Sequence, residues 1–303
     1  MKGKTVSGDE IRRFAQASRE WWNPRGQYSL LHRMNPPRLE FIAAHLPPSK
    51  HTQSPVKPAL SSITEPFQSI PRRSVIDVGC GGGLVSECLA RMGGNQVLGV
   101  DATRESIGIA RAHAALDPLH LKGLLEYRHC SLEDLVISDA ENEDQDLYES
   151  SKDDTASTTI SSDDDSSEQS TLGKTHTLET PFDALVSLEV LEHVSDVPFF
   201  LENCARVLRP NGVAIFSTIS QTPLSNLLTI RLAQDLLQWV PRDTHHYEKY
   251  IKPAKLEAML AEHGFRVREV RGIGFNPVTG SWSLMPRALG DGGVNYILAA
   301  EKM

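Results

Sequence analysis

Two carboxylates and an imidazole, Glu189, Glu192 and His193, lie within five residues of one another in the sequence. If this segment turns helically, positions i, i+3 and i+4 share one face. Such a triplet is able to hold a divalent ion, with waters and substrate oxygens completing the coordination. A second interpretation makes His193 a lone general base. A third assigns no chemistry: the acidic residues complement a helix start and the histidine is bonded locally. Spacing alone leaves all three open.

Three glycines separated by single residues, Gly79, Gly81 and Gly83, follow a short apolar run and precede a helical pattern that starts at Leu84. Glycine permits positive φ and close approach of a ligand, and the next helix N-terminus presents free N–H groups. A dinucleotide fingerprint would place a small residue at position 84, where this chain has leucine. The spacing instead resembles the S-adenosylmethionine loop of class I methyltransferases.

Carboxylates accompany this glycine loop. Asp77 precedes it, and Asp101 ends the next apolar run, 97–101. In the class I methyltransferase scheme an acidic residue at this strand end accepts both ribose hydroxyls of the cofactor, so Asp101 is the predicted ribose-binding residue. An ordinary glycine-rich turn with no ligand is the alternative.

Strand and helix patterns alternate through most of the chain, which predicts a parallel sheet with crossover helices. The last two predicted strands would form an antiparallel hairpin. The predicted fold is therefore α/β: a class I methyltransferase Rossmann-like fold, with a seven-stranded, mostly parallel sheet, helices on both faces and an N-terminal helical cap. The predicted strands are 74–78, 96–100, 125–129, 182–188, 213–218, 265–274 and 296–300.

Interruptions of this pattern predict the domain organisation. A helical cap occupies 1–46, with helices at 11–22 and 37–46, and a Pro/Ser/Thr-rich flexible linker follows at 47–71. The methyltransferase domain spans 72–303 and contains an acidic Ser/Thr-rich block at 138–180. That block has too few apolar residues to offset chain entropy, so we expect a disordered insertion in a surface loop. A phosphorylated or partner-binding tail is the alternative.

Net charge and cysteine usage narrow the class of protein. The formal charge is -8, yet residues 139–169 hold twelve Asp or Glu against one Lys, so the remainder carries +3. This weak basicity disfavours a nucleic-acid partner and permits contact with anionic lipid. Four cysteines without CxxC spacing predict reduced thiols. The sequence shows neither a bilayer-spanning run nor a signal or transit pattern at 1–10, which predicts a soluble protein.

Motifs along the whole chain resemble the ubiquinone-biosynthesis O-methyltransferase family. The likeness runs in order from Phe14 to Glu301, interrupted by the linker and the acidic block. The matching motifs are Trp21-Trp22-Asn23-Pro24, Leu31-His32-Arg33-Met34-Asn35-Pro36, the glycine loop from Asp77, Glu189-Val190-Leu191-Glu192-His193-Val194, Ile251-Lys252-Pro253, Asn276-Pro277 and Val294-Asn295-Tyr296.

The resemblance implies methyl transfer from S-adenosylmethionine to a catechol-type hydroxyl of a polyprenyl-dihydroxybenzoate or of demethylubiquinol. It implies a divalent metal, with Mg²⁺ the expected ion, held by Glu189, Glu192 and His193, of which the latter two would be catalytic. The implied contacts to the cofactor are those of Arg33 with the methionine carboxylate, Gly79 beneath the cofactor, Asp101 at the ribose, Leu188 in the pocket wall, and Ser131 and Glu133 near the adenine. Methylation of another small phenol, or a non-catalytic scaffold of a lipid-biosynthesis assembly, are the alternatives.

An amphipathic helical pattern at 224–240 bears on the acceptor. Its apolar arc includes Leu228, Leu232, Leu236 and Trp239. A core-facing crossover helix is the simpler interpretation. Docking on a membrane surface would instead give access to a lipid-tailed substrate. The family resemblance adds a location on the matrix side of the mitochondrial inner membrane, as a peripheral protein, and a multi-enzyme complex of ubiquinone biosynthesis as partner.

Overall fold

A computed structural model describes residues 5–47, 73–92, 95–117, 123–136, 181–222, 225, 247–276, 279–289 and 294–303. Most of the predicted linker and the predicted acidic insertion lie outside these residues, as does the predicted amphipathic helix at 224–240 except for Ser225. Among the residues that the structure describes, no helix is long and apolar enough to cross a membrane.

Strands and helices alternate from residue 74 onward, as the sequence predicts. The N-terminal helices are α1 (Gly8–Ala17) and α2 (Ser29–His45), and the later helices are α3 (Leu84–Arg91), α4 (Arg104–Ala114), α5 (Val197–Val207) and α6 (Pro253–Glu262). The strands are β1 (Ser74–Val78), β2 (Gln96–Asp101), β3 (Leu125–His129), β4 (Phe182–Leu188), β5 (Leu208–Ile219), β6 (Phe265–Asn276), β7 (Ser281–Leu284) and β8 (Asn295–Lys302).

The described strands form one sheet in the order β3-β2-β1-β4-β5-β8-β6-β7. The first five are parallel, and β8, β6 and β7 continue the sheet in antiparallel pairs. This order confirms the class I methyltransferase fold, but the sheet has eight strands where the sequence predicted seven. The additional strand, β7, is four residues long and pairs with the end of β6, so its alternation is too short to be recognised in the sequence.

Apolar side chains cover both faces of the sheet. This is expected, because the parallel strands of α/β proteins are buried on both sides. Helix α2 contributes Met34, Phe41 and Ile42 to one face, where they share a core cluster with residues of α3, β1 and β4. Helices α5 and α6 cover the other face. The N-terminal helix α2 is therefore packed into the main core of the domain.

Helix α2 begins at Ser29, eight residues before the predicted start at Pro37, and contains both Pro36 and Pro37. Proline removes an N–H donor and disfavours a helix interior, which is why the sequence predicted a break. Arg33, one turn before Pro37, is exposed, while the neighbouring face of the helix packs against the sheet. Tertiary packing thus outweighs local propensity here.

Candidate active site

The glycine turn after β1 is held by backbone hydrogen bonds to strand β2. The N–H groups of Gly79 and Cys80 donate to the carbonyl of Val100 at the end of β2, at 2.8 and 3.1 Å. Gly79 and Gly81 have φ of 73° and 54°, a region that residues with a Cβ adopt at a cost. A Cβ on Gly79 would collide with Val190, and one on Gly81 with the ring of Trp21. The turn is therefore a cradle that only glycine fits.

Two aspartates stabilise this cradle. Asp101 accepts the N–H groups of Gly81 at 2.9 Å and Thr103 at 2.7 Å, one on each carboxylate oxygen. Each oxygen keeps a further lone pair, so the carboxylate remains able to accept a ligand hydroxyl. The carboxylate of Asp77 accepts a hydrogen bond from the hydroxyl of Ser86. Burial, together with the charge of Asp101, raises the pKa of Asp77 to about 7 despite that hydrogen bond.

A pocket lies between the glycine turn and helix α2. Gly79 and Leu188 line it, as the family resemblance implies. Arg33 is exposed and lies outside the lining, whereas Arg38, five residues further along α2, lines the pocket and is 2% exposed. The structure thus brings a different arginine from the predicted one to the pocket.

Arg38 could have been found from the sequence, because it lies on the inward stripe of α2, at i+4 from Met34 and i−4 from Ile42. A charge on a core-facing stripe is costly without a partner. Because we predicted that the helix starts at Pro37, the inward stripe that contains Arg38 was not recognised.

The buried guanidinium of Arg38 pairs with Glu189, with Nη2 to Oε1 at 2.7 Å. The same oxygen accepts the Ser217 hydroxyl at 2.7 Å. Arg38 Nε is buried without a hydrogen-bond partner. Buried polar groups are nearly always paired, so this unpaired donor beside the pocket marks a position for an anionic or acceptor group of a ligand.

The turn after β4 holds the predicted acidic and imidazole side chains. Glu189 has a φ of 55°, which is rare for a residue with a Cβ. Glu192 is 4% exposed and accepts the Thr218 hydroxyl at 2.7 Å. Burial, with the neighbouring charge of Glu189, raises the pKa of Glu192 above its ordinary value. His193 Nδ1 lies 3.4 Å from Glu10 Oε2 of helix α1.

These three side chains are not gathered around one point. Glu189 faces Arg38, Glu192 faces Thr218, and His193 faces helix α1. In the part of the chain that the structure describes, no group of three or more His, Cys, Asp or Glu residues is arranged to hold a metal ion. The arrangement does not fit the predicted metal centre, and metal binding stays a prediction.

The two residues expected near the adenine, Ser131 and Glu133, are both buried. Glu133 Oε1 accepts the backbone N–H of Thr5 at 2.7 Å, and Ser131 Oγ accepts the N–H of Asp134 at 3.2 Å. Their contact with a cofactor stays a prediction.

The strand order, the glycine cradle after β1 and the acidic residue ending β2 define a class I, S-adenosylmethionine-dependent methyltransferase. The family model described as a methyltransferase domain matches residues 50–270. The ubiquinone biosynthesis O-methyltransferase of Sinorhizobium fredii is 33% identical over 298 residues, which cover 98% of this chain and 96% of that protein. The chain therefore belongs to the ubiquinone biosynthesis O-methyltransferase family.

A mitochondrial relative and a solved structure extend the comparison. The human mitochondrial ubiquinone biosynthesis O-methyltransferase is 34% identical over 278 residues, covering 92% of this chain and 61% of that protein. A Thermotoga maritima structure described as a SAM-dependent methyltransferase, possible histamine N-methyltransferase, aligns with a TM-score of 0.52 at 12% identity and covers 97% of this chain and 99% of that one. At that identity the match supports the fold alone.

Proposed function

We propose that the chain transfers the methyl group of S-adenosylmethionine to a catechol-type hydroxyl of a polyprenylated phenol in ubiquinone biosynthesis. The acceptor would be a polyprenyl-dihydroxybenzoate, a demethylubiquinol, or both. The observation that carries the proposal is the similarity over nearly the full chain to enzymes named for this pathway. The site agrees with it, since the cofactor cradle and the Glu189–His193 turn follow adjacent parallel strands, β1 and β4.

On the donor side, Asp101 would accept the ribose hydroxyls and Gly79 would pack beneath the cofactor. We assign the methionine carboxylate to Arg38, because its guanidinium lines the pocket and keeps Nε unpaired, whereas Arg33 is exposed. The bound cofactor supplies a methyl group already activated on a sulfonium. The tasks left to the protein are alignment and removal of the acceptor's proton.

On the acceptor side, His193 would take the proton of the phenol. A free phenol has a pKa of about 10, so transfer at neutral pH needs a base close to the hydroxyl. Glu192 lies one residue away and is held by Thr218. Its buried carboxyl would alter the electrostatic potential around His193.

A divalent ion at Glu189, Glu192 and His193 is the competing explanation of proton removal. The side chains as arranged are engaged by protein partners, and this supports His193 acting as the base. Turnover that is unchanged after chelation would support that assignment. Turnover lost on chelation and restored by Mg²⁺ would contradict it and support the metal.

The decisive test of the function is turnover of labelled S-adenosylmethionine on a short-tailed prenylated catechol and on its tail-free counterpart. We expect methylation of the prenylated compound, its loss in His193→Gln, and normal turnover in the matched control His263→Gln at the end of α6. Equal turnover of the tail-free phenol would favour a small-phenol methyltransferase. Cofactor binding without turnover of either compound would favour the scaffold alternative.

We further propose that residues 224–240 dock on a membrane surface and that the protein works as a peripheral component of a ubiquinone-biosynthesis complex at the matrix side of the mitochondrial inner membrane. Mitochondrial naming of the human and bovine relatives supports the compartment. The protein should float together with vesicles of phosphatidylcholine and phosphatidylserine in a density gradient. The double change Leu232→Glu with Leu236→Glu should abolish this co-flotation. Gln234→Glu with Gln238→Glu, on the polar side of the helical pattern, is the matched control. Flotation that survives the leucine changes would contradict docking.

The compartment and the complex need separate measurements. The protein in fractionated cells should sediment with inner membranes, leave them in alkaline carbonate and migrate in native gels above its own mass of 33.5 kDa. Recovery in the cytosol, or migration as a monomer from mild detergent, would contradict these two proposals respectively.

A further inference from the structure

The indole of Trp21 packs directly on the glycine turn. A Cβ atom on either Gly81 or Gly82 would collide with this ring, so no side chain lies between the indole and the turn. The indole N–H donates to the hydroxyl of Ser106 on α4, with 3.2 Å between nitrogen and oxygen. Trp21 is 8% exposed and lines the pocket beside the turn. The indole is therefore one wall of the predicted cofactor site.

Tyr28, the residue just before α2, stacks on that indole. The two ring centroids lie 3.9 Å apart, and the ring planes differ by 2°. Stacked aromatic rings attract one another beyond the area that they bury, which restrains the ring of Tyr28 against Trp21. The phenol therefore reaches the neighbourhood of the cofactor site, although it belongs to the segment that joins α1 to α2.

The hydroxyl of Tyr28 is buried and has no hydrogen-bond partner among the residues that the structure describes. Buried polar groups are nearly always paired, and an unpaired one destabilises the protein. The stack on Trp21 does not require the hydroxyl, because a phenylalanine ring would stack in the same way without that cost. The unpaired hydroxyl therefore points to a hydrogen-bond partner that belongs to a ligand.

The charge of Asp101 acts on this phenol. Burial, with the negative charge of Asp101, raises the pKa of Tyr28 above its ordinary value, although the charge of Arg13 acts in the opposite direction. The phenol therefore stays protonated at physiological pH and is able to donate a hydrogen bond. Asp101 also accepts the N–H of Gly81, the glycine on which Trp21 packs. The ring stack and the electrostatics thus agree in placing the phenol near Asp101.

A carboxylate and a phenol together fit the hydrogen-bonding groups of a ribose. The predicted role of Asp101 is to accept the protons of the two ribose hydroxyls of the cofactor. Each ribose oxygen then keeps lone pairs that are able to accept a further hydrogen bond. An ionised carboxylate has no proton to donate to them, whereas the O–H of Tyr28 has one.

We propose that Tyr28 is a further cofactor-binding residue, whose hydroxyl donates a hydrogen bond to a ribose hydroxyl of S-adenosylmethionine held by Asp101. The inference rests on the proposed function, because it completes the binding of the methyl donor. It extends the cofactor site from the sheet to the segment between α1 and α2. It also makes the site select a ligand that carries both ribose hydroxyls.

The test measures the Kd of three ligands by calorimetry: S-adenosylhomocysteine and its two monodeoxy analogues, each of which lacks one ribose hydroxyl. Tyr28→Phe keeps the stack and removes only the hydroxyl. We expect the Kd for S-adenosylhomocysteine to rise about 3- to 10-fold in this variant, as the loss of one neutral hydrogen bond predicts. For one of the two deoxy analogues the substitution should leave the Kd unchanged, because that ligand lacks the oxygen that Tyr28 contacts.

Tyr247→Phe is the matched control, since it removes the hydroxyl of another half-buried tyrosine that belongs to a ring pair. It should bind all three ligands as the unmodified protein does. Without ligand, Tyr28→Phe should unfold at the same temperature as the unmodified protein or at a higher one, because the hydroxyl has no partner in the described residues. A clear loss of stability would show that the hydroxyl is bonded within the protein and would overturn the inference.

The binding data have two further outcomes that count against the inference. An unchanged Kd for S-adenosylhomocysteine in Tyr28→Phe, with turnover intact in the unmodified protein, would overturn the inference alone. An equal rise in Kd for all three ligands would also overturn it, because the loss would then not depend on a ribose hydroxyl. The expected pattern in a protein that methylates no phenol would uphold the contact of Tyr28 and refute the proposed function instead.

Discussion

Replacing Arg38 by methionine separates its two tasks, the ion pair with Glu189 and the contact with the cofactor. Methionine keeps much of the length of the side chain but leaves Glu189, which is 16% exposed, without its cation. Breaking a buried pair in this way costs about 3–5 kcal/mol, and the Arg38 guanidinium is 2% exposed. We therefore expect the free energy of unfolding to fall by about 4 kcal/mol, measured by urea denaturation.

The double variant Arg38→Met with Glu189→Gln should recover most of that stability, because no unpaired carboxylate remains at the site. It should not recover cofactor binding. A charge-assisted hydrogen bond contributes about 1.5–3 kcal/mol, so the Kd for S-adenosylhomocysteine, measured by calorimetry, should rise about 10- to 100-fold. Arg33→Met is the matched control on the same helix and should leave both quantities unchanged. Normal cofactor affinity in the double variant, or lost affinity in Arg33→Met, would refute the assignment of Arg38.

Three further outcomes follow from the same geometry. Gly81→Ala should destabilise the fold by about 1–3 kcal/mol and weaken cofactor binding, because φ is 54° and Trp21 fills the space; Gly108→Ala, in open space on α4, should stabilise it by about 0.5–1 kcal/mol in the same thermal assay. Because folding raises the pKa of Asp77 to about 7, the folded state binds the proton more tightly, and stability falls between about pH 4 and 7. Asp77→Asn should therefore gain more stability over the unmodified protein at pH 8 than at pH 5, and an equal difference in urea titrations would contradict this. Finally, amide hydrogen exchange should be faster in α1 than in α2, since α1 buries only Glu10; similar protection would show α1 to be as firmly held as α2.

Local sequence predicted those parts of the fold that depend on local patterns. The strands predicted at 74–78 and 125–129 have the bounds that the structure shows for β1 and β3. The start of α2 was wrong, because a local rule about proline was outweighed by packing of Met34, Phe41 and Ile42 on the sheet. The contacts that define the site join residues far apart in the chain, such as Arg38 with Glu189, and periodicity carries no information about such pairs.

The two N-terminal helices, α1 and α2, contribute to the site in different ways. Helix α2 belongs to the sheet's core, so Arg38 meets Glu189 from a rigid support and stabilises a residue whose φ of 55° carries a conformational cost. Helix α1 and the residues before it contact this part of the molecule mainly through polar groups, such as Thr5 with Glu133 and Glu10 with Lys249. The donor pocket is therefore supported by apolar packing of α2 on the sheet, whereas the N-terminal segment is joined to the turn after β4 by hydrogen bonds.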